Sequence, residues 1–185
     1  MTGAPQGAGD LDARLDRALV GGRRPASVVL VEPDPAWSAR FEAERAVIGA
    51  ALGGRALAMH HIGSTAVPGL LAKDRVDVCV EVADPDDEPA WLPDLLAAGY
   101  VVRVVEPGHR CLVHEDPATN VHVYAAGAPE VNAYLTLRDR LRVSHSDREL
   151  YARVKCDLAA RGEWADVNHY AEAKGDVIRE ILSRA

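Results

Sequence analysis

The sequence predicts an α+β fold: a mixed, largely antiparallel sheet flanked by helices, with a helical C-terminal third. Three observations carry this. RVDVCVEV (75–82) places Val76, Val78, Val80 and Val82 on one face and Asp77, Cys79 and Glu81 on the other, the period of a strand. YVVRVVE, RCLVHE and NVHVYAA follow with short turns between them, which suggests an antiparallel meander. Beyond residue 129 the composition turns helical, with no linker or internal repeat, so the chain is expected to form one domain.

The elements follow in order. Residues 1–26 are expected to be a disordered or loosely helical lead, with DLDARLDRAL (10–19) as a short helix ended by Gly21-Gly22 and Pro25. The domain proper spans 27–185. SVVLVE (27–32) has strand composition, and PDPAW turns the chain into a helix over 36–51 carrying Trp37, Phe41, Val47 and Ile48. RALAMHHI (55–62) reads as a strand and AWLPDLLAAG as a short helix. EVNAYLTLRDRLRVS, SDRELYARVKCDLAAR and DVNHYAEAKGDVIREILSR read as three helices, the second with a capping box from Ser146 to Glu149.

Bulk properties exclude several classes. A formal charge of -7 argues against nonspecific nucleic-acid binding, which phosphate neutralisation drives, but allows a local basic pocket for one small phosphorylated ligand. Cys79, Cys111 and Cys156 are odd in number and far apart, as expected of reduced thiols in a cytoplasmic protein. No apolar run is long enough to span a membrane, and MTGAPQGAGD lacks the charged-then-apolar start of a signal peptide. The histidines at 60, 61, 109, 114 and 122 lack zinc-site spacing, and Ser64 is not in a GxSxG context.

HIGSTAVPGL (61–70) is the stretch that asks for a function. A tight turn needs one glycine; here Gly63, Ser64, Thr65, Pro68 and Gly69 fall within seven residues. A strand ending in Gly-Ser and entering a helix aims N–H donors and a hydroxyl at one spot, which favours phosphate. The next strand presents Asp77, a candidate ligand for Mg²⁺ beside that phosphate. A plain turn and a solvated aspartate would leave the same residues.

Three stretches together resemble the GrpB family: VVLVEPDPAWSARFEAE (28–44), HIGSTAVPGLLAKDRVDVCVEV (61–82) and the helical RDRLR…LYARVKCDLA…YAEAKGDVI. The family is assigned to the nucleotidyltransferase superfamily of polymerase-β type, whose pattern is Gly-Ser, then Asp-x-Asp or Asp-x-Glu on a strand, then a further carboxylate. Gly63-Ser64 and Asp77 match it, with twelve residues between Ser64 and Asp77. The resemblance implies that Ser64 and local amides grip the β- and γ-phosphates of a nucleoside triphosphate. It also implies that Asp77 binds Mg²⁺ as a small-molecule acceptor attacks the α-phosphate. Gly63, Thr65, Lys73, Arg110, Arg138, Lys155 and Lys174 are the accompanying phosphate-binding candidates. His122 is a phosphate contact or acid–base residue, and Glu81 is a substitute metal ligand.

The chain departs from the pattern. Cys79 stands where the second carboxylate belongs, and Asn120 and His122 where the third is sought. Glu81 lies about 13 Å along the strand from Asp77. His60 replaces the family's usual glutamate, and Asp74 its usual proline. A catalytically inactive phosphate- or coenzyme A-binding accessory module therefore stands as the alternative, since the family's domain also occurs fused behind dephospho-CoA kinase.

Overall fold

In the computed structural model, which describes residues 6–185, helix α1 (Gln6–Ala18) leads into β1 (Ala26–Ser27) and α2 (Ala36–Leu52). Then come β2 (Ala58–Ile62), β3 (Val76–Val82), α3 (Leu92–Ala97), and the strands β4 (Val101–Glu106), β5 (His109–Glu115) and β6 (Ala118–Ala125). The chain ends with α4 (Pro129–Val143), α5 (His145–Ala159), β7 (Glu163–Trp164), α6 (Val167–Glu172) and α7 (Gly175–Leu182).

The main sheet is five-stranded in the order β2-β3-β6-β5-β4. Only β3 and β6 run parallel; the other pairs are antiparallel, and β4-β5-β6 is the expected meander. The protein is thus a mixed α+β fold with helices on both faces of its sheet.

Alternation sorts the two faces. Val76, Val78, Val80 and Val82 join Leu112, Val121 and Val123 under α2 and α3, where Trp37, Phe41, Ile48, Leu52, Trp91 and Leu95 complete the main core. Burying such side chains contributes about 1.5–3 kcal/mol each. The odd-numbered residues of β3 face the other way, towards α4 and a cleft. A second core joins α4, α5 and α7 through Leu141, Tyr151, Val177 and Ile181, and Val67 and Leu70 from the turn after β2 pack into it. The turn is thereby tied to the helical third.

The structure corrects several local expectations. SVVLVE is not a strand beyond Ser27; it makes one isolated bridge, Val31 to Ala72. Tertiary packing overrides its strand composition: Val28 is buried on Leu158 and Tyr170, and Leu30 packs beside them. On α2, Val47 is exposed and the buried stripe is Trp37, Phe41, Glu44, Ile48 and Leu52. Helix α5 starts earlier than the expected capping box, with Ser144 accepting from the Asp147 amide. Asp147 is itself buried between Arg140 (2.6 Å) and Arg184 (2.7 Å). The last expected helix is two, α6 and α7, broken around Lys174 and Gly175, where glycine weakens helix continuity.

The segment expected as the lead contains α1. Leu15, Ala18 and Leu19 are buried, Asp12 meets His169 of α6 at 3.0 Å, and the Val20 amide donates to the Arg103 carbonyl. The part of the expected disordered lead at residues 1–5 lies outside the described residues. No helix of the described residues is long and apolar enough to cross a membrane.

One buried polar contact tests the main core. Glu44 is 4% exposed, and its carboxylate accepts from the Tyr100 hydroxyl. Burial and that carboxylate together hold the Tyr100 hydroxyl well above its ordinary pKa, so it stays a donor. Tyr100→Phe leaves the carboxylate buried without this partner and is expected to cost about 1–3 kcal/mol in urea unfolding. Removing both polar groups, in Glu44→Leu/Tyr100→Phe, should recover part of the loss. A Tyr100→Phe curve that overlays wild type overturns this assignment.

Candidate active site

Strand β2 ends at Ile62, which pairs with Asp77 on β3. The next residue, Gly63, has φ 72° and ψ -170°. A Cβ at Gly63 would stand 2.4 Å from Asp77 Oδ2. Glycine is therefore required twice here, for the backbone conformation and for the approach to the carboxylate. The chain then makes one 3₁₀ turn, Ser64–Ala66, rather than the expected helix. So short a turn has little dipole to offer an anion, and the positive potential must come from side chains.

Lysines supply it. Lys155 of α5 donates from Nζ to Ser64 Oγ at 2.9 Å and also to the Leu71 carbonyl. It is 2% exposed, and burial together with Lys174 and Lys73 pushes its pKa down to about 7. Lys73, just before β3, is lowered by burial and by Lys174 and Arg75, against the pull of Asp77. Lys174, at the break between α6 and α7, is lowered by burial and lies over the Tyr170 ring at 4.9 Å. All three line one cleft of about 740 Å³ with Ser64, Thr65 and Asp77, a volume suited to a small-molecule ligand.

Asp77 is held as an anion. Burial opposes its charge, but His122, Asn120 and Lys73 outweigh burial and lower its pKa. Asn120 Nδ2 donates to Asp77 Oδ1 at 2.7 Å, and His122 Nε2 lies 3.9 Å from the same oxygen. His122 Nδ1 is 3.2 Å from His109 Nε2. Burial works against charge on His122, yet Cys111 and Asp77 raise its pKa well above the ordinary range. Burial and the neighbouring His122 push His109 down to about 4. The two shifts run in opposite directions, favouring charge on His122 and a neutral His109. His122 is a further cation of the cleft, and Asp77 is the carboxylate that faces it from β3.

The sequence-derived candidates divide accordingly. Gly63, Ser64, Thr65, Lys73, Asp77, His122, Arg138, Lys155 and Lys174 come together in the cleft. Thr65 Oγ1 bonds His61 Nε2 at 3.0 Å, bracing the turn; His61, stacked on Phe41, is pushed down to about 4 by burial. Arg138 of α4 donates to the His61 carbonyl at 3.1 Å and also pairs with Asp139, so it holds β2 beside the turn.

Two candidates do not belong. Arg110 shares the sheet face of Leu112, one residue out of phase with the cleft residues His109, Cys111 and Val113, and is bound by Asp86 (2.9 Å) and Glu88 (2.5 Å). Glu81 is drawn to the far end of β3 by the Gly127 amide and His60 Nε2, each at 2.7 Å. His109, Tyr134 of α4 and Arg14 of α1 also line the cleft and were not singled out from sequence. For His109 the two-residue period of β5 was a usable signal; for Arg14 there was none, since α1 reaches the cleft through tertiary packing alone.

The donor set does not fit a two-ion magnesium site. Cys79, at the second ligand position, sits at 0% exposure among Ile62, Tyr124 and Val131, and burial lifts its thiol to about 11. Among the described residues, no three His, Cys, Asp or Glu side chains group closely enough to hold a metal ion. Mg²⁺ prefers several oxygen ligands; here Asp77 stands among lysines, and the other carboxylates of the cleft, Glu106, Glu115 and Glu172, are taken up by His109, Arg75 and Arg14.

Known proteins are similar to this chain in sequence or in structure. A UPF0157 protein of Halalkalibacterium halodurans is 43% identical over 94% of this chain and 91% of that protein. One from Streptomyces coelicolor is 45% identical over 90% of this chain and 89% of that protein. The dephospho-CoA kinase of Mycobacterium tuberculosis matches at 34% identity over 84% of this chain but only 45% of that protein. Among solved structures, the conserved protein GrpB from Enterococcus faecalis superposes with a TM-score of 0.70 at 27% identity, covering 84% of this chain and 98% of that one. The Cid1 poly(U) polymerase shares the fold, with a TM-score of 0.50 at 13% identity, covering 70% of this chain and 44% of that one. The GrpB protein family model matches residues 27–184, and the chain belongs to the GrpB family, with a nucleotidyltransferase-like fold.

Proposed function

We propose that the cleft binds the phosphates of a nucleoside triphosphate and transfers its nucleotidyl group to a small-molecule acceptor. The observation that carries this is the convergence of Ser64, Lys73, Lys155 and Lys174 on Asp77 and His122 in one cleft. In the proposed reaction an acceptor hydroxyl oxygen bonds the α-phosphorus and the bond from that phosphorus to the bridging oxygen breaks. Pyrophosphate leaves with the electron pair of the broken bond. Asp77 takes the hydroxyl proton and passes it to solvent. The ammonium groups and the His122 imidazolium face the phosphate oxygens as charge moves onto the leaving group. Were a Mg²⁺ ion present, Asp77 is the residue that would hold it and the ion would offset phosphate charge; no step here is assigned to it. A cytoplasmic location accords with three unpaired thiols, two of them buried.

A second reading has its own support. Cys79, Asn120 and His122 take the positions of the missing carboxylates, which favours a module that binds a phosphorylated ligand, coenzyme A included, without transfer.

Melting temperature with ATP, CTP, GTP, UTP and coenzyme A, together with pyrophosphate release in the presence of mixed small acceptors, separates the two. A triphosphate that raises the melting temperature and releases pyrophosphate supports transfer. In that case Asp77→Asn should lower release by about 10²–10⁴-fold, the range of acid–base contributions. A shift without release supports the binding module, and no shift with any of them removes both readings. Gly63→Ala should abolish the ligand-induced shift and lower the ligand-free melting temperature, because its methyl group meets Asp77 Oδ2. Equal behaviour of Gly63→Ala and wild type would show the Gly63–Asp77 approach to be dispensable.

A further inference from the structure

The cleft presents a mismatch that the family fold does not explain. Four carboxylates line it: Glu106, Glu115 and Glu172 are paired with His109, Arg75 and Arg14, and Asp77 faces Asn120, His122 and the Gly63 backbone. Around Asp77 stand three ammonium groups on separate elements: Lys73 before β3, Lys155 on α5 and Lys174 between α6 and α7. A divalent cation placed there is repelled by each of them that is protonated. A polyphosphate is attracted by all three, in a partly desolvated site where such attraction is screened little. Lys155 is also built in: its Nζ bonds Ser64 Oγ and the Leu71 carbonyl, which uses two of its three donors and leaves one for a ligand.

We propose that Lys73, Lys155 and Lys174 neutralise the phosphates in place of a metal pair, so that the cleft binds a triphosphate without bound Mg²⁺ and takes up a proton at Lys155 on doing so. This rests on the phosphate-binding reading above and adds its electrostatic mechanism. The groups facing Lys155 set the sign. Lys73 and Lys174 oppose its charge, and Asp77 and the neighbouring Cys156 favour it, while Tyr151 on its own helix places its ring 5.4 Å from Nζ. Burial and the two lysines prevail in the free protein and bring Lys155 to about 7. At pH 8 it is therefore mostly neutral. A bound polyphosphate adds the missing negative charge, the pKa rises, and a proton enters from buffer.

The experiment is titration calorimetry with ATP and with inorganic tripolyphosphate in excess EDTA, in buffers of different ionisation enthalpy. At pH 8 a phosphomonoester is already almost fully ionised, since its second pKa is about 6. The expected result for wild type is binding of both probes without metal, with uptake of close to one proton per ATP. ATP affinity should rise about fivefold from pH 8 to pH 7, the change in protonated fraction of a group titrating near 7. Lys155→Arg, charged throughout, should keep binding and lose the proton uptake. Lys155→Met should lose at least about tenfold in affinity. Circular dichroism checks the fold of each variant. Should the Lys155 variants fail to fold, Lys174→Met, altered at a helix break, should show the same loss of EDTA-resistant binding. Binding that appears only with Mg²⁺, or proton uptake unchanged in Lys155→Arg, overturns the proposal and leaves phosphate binding standing. Absence of binding by either probe with or without Mg²⁺ removes the phosphate-binding reading and this inference together.

Discussion

The close approach of the Gly63 backbone to the Asp77 carboxylate is the constraint around which the rest of the site is arranged. Antiparallel pairing of β2 with β3 sets Ile62 opposite Asp77, so the turn leaving β2 begins beside that carboxylate. Only a residue without Cβ fits there, and only glycine takes φ 72° without strain. Once the turn passes at that distance, Ser64 is delivered to Lys155, and Val67 and Leu70 are delivered to the core between α4, α5 and α7. One backbone contact thus couples the sheet, the polar cleft and the helical third.

The ammonium groups strain this arrangement. Gathering three lysines, Lys155 buried and Lys73 and Lys174 half-buried, around Asp77 is unfavourable by desolvation and, for Lys73 and Lys155, by repulsion, and their pKa values are lowered accordingly. For Lys155 the sign follows from its folded pKa lying below the unfolded one: the unfolded chain binds more protons between about pH 7 and the ordinary lysine range, so this group's contribution to stability rises with pH across that window. A lysine that is easier to bury neutral than charged makes the cleft costlier to fold as pH falls through that window, a cost that a nearby negative charge would offset.

Much of this was legible in the sequence, and the reasons differ by residue. The alternation of RVDVCVEV fixed both faces of β3, since a period of two leaves no other assignment for Val76 and Asp77. Gly63 and Ser64 were visible as an excess of turn residues. Lys155 and Lys174 were picked out by resemblance; nothing in local periodicity brings residues 64 and 155 together. Arg110 failed by one residue of register, which on a strand is the whole width of the sheet. Glu81 failed because the Gly127 amide and His60 offer its carboxylate two partners at the far end of β3. SVVLVE failed because strand composition does not supply a strand partner: the helices that bury Val28 lie more than a hundred residues downstream.

The substitutions on the cleft face make one pattern rather than a set of independent losses. Cys79 pairs in register with His122 across the parallel β3–β6 ladder, and Cys111 pairs with His122 from β5. Carboxylates at positions 79 and 122 would place acidic groups side by side on adjacent strands, which requires an offsetting cation or a shared proton to hold them together. A buried neutral thiol at 79 and an imidazolium at 122 remove that requirement. With His122 charged, Asp77 gains a counter-ion from the neighbouring strand, added to the pull of Lys73 on the same carboxylate. The cleft face of the sheet thus carries an Asp77–His122 pair where the superfamily pattern has an acidic cluster, and among the described residues that difference leaves few metal ligands beside Ser64 and the three lysines.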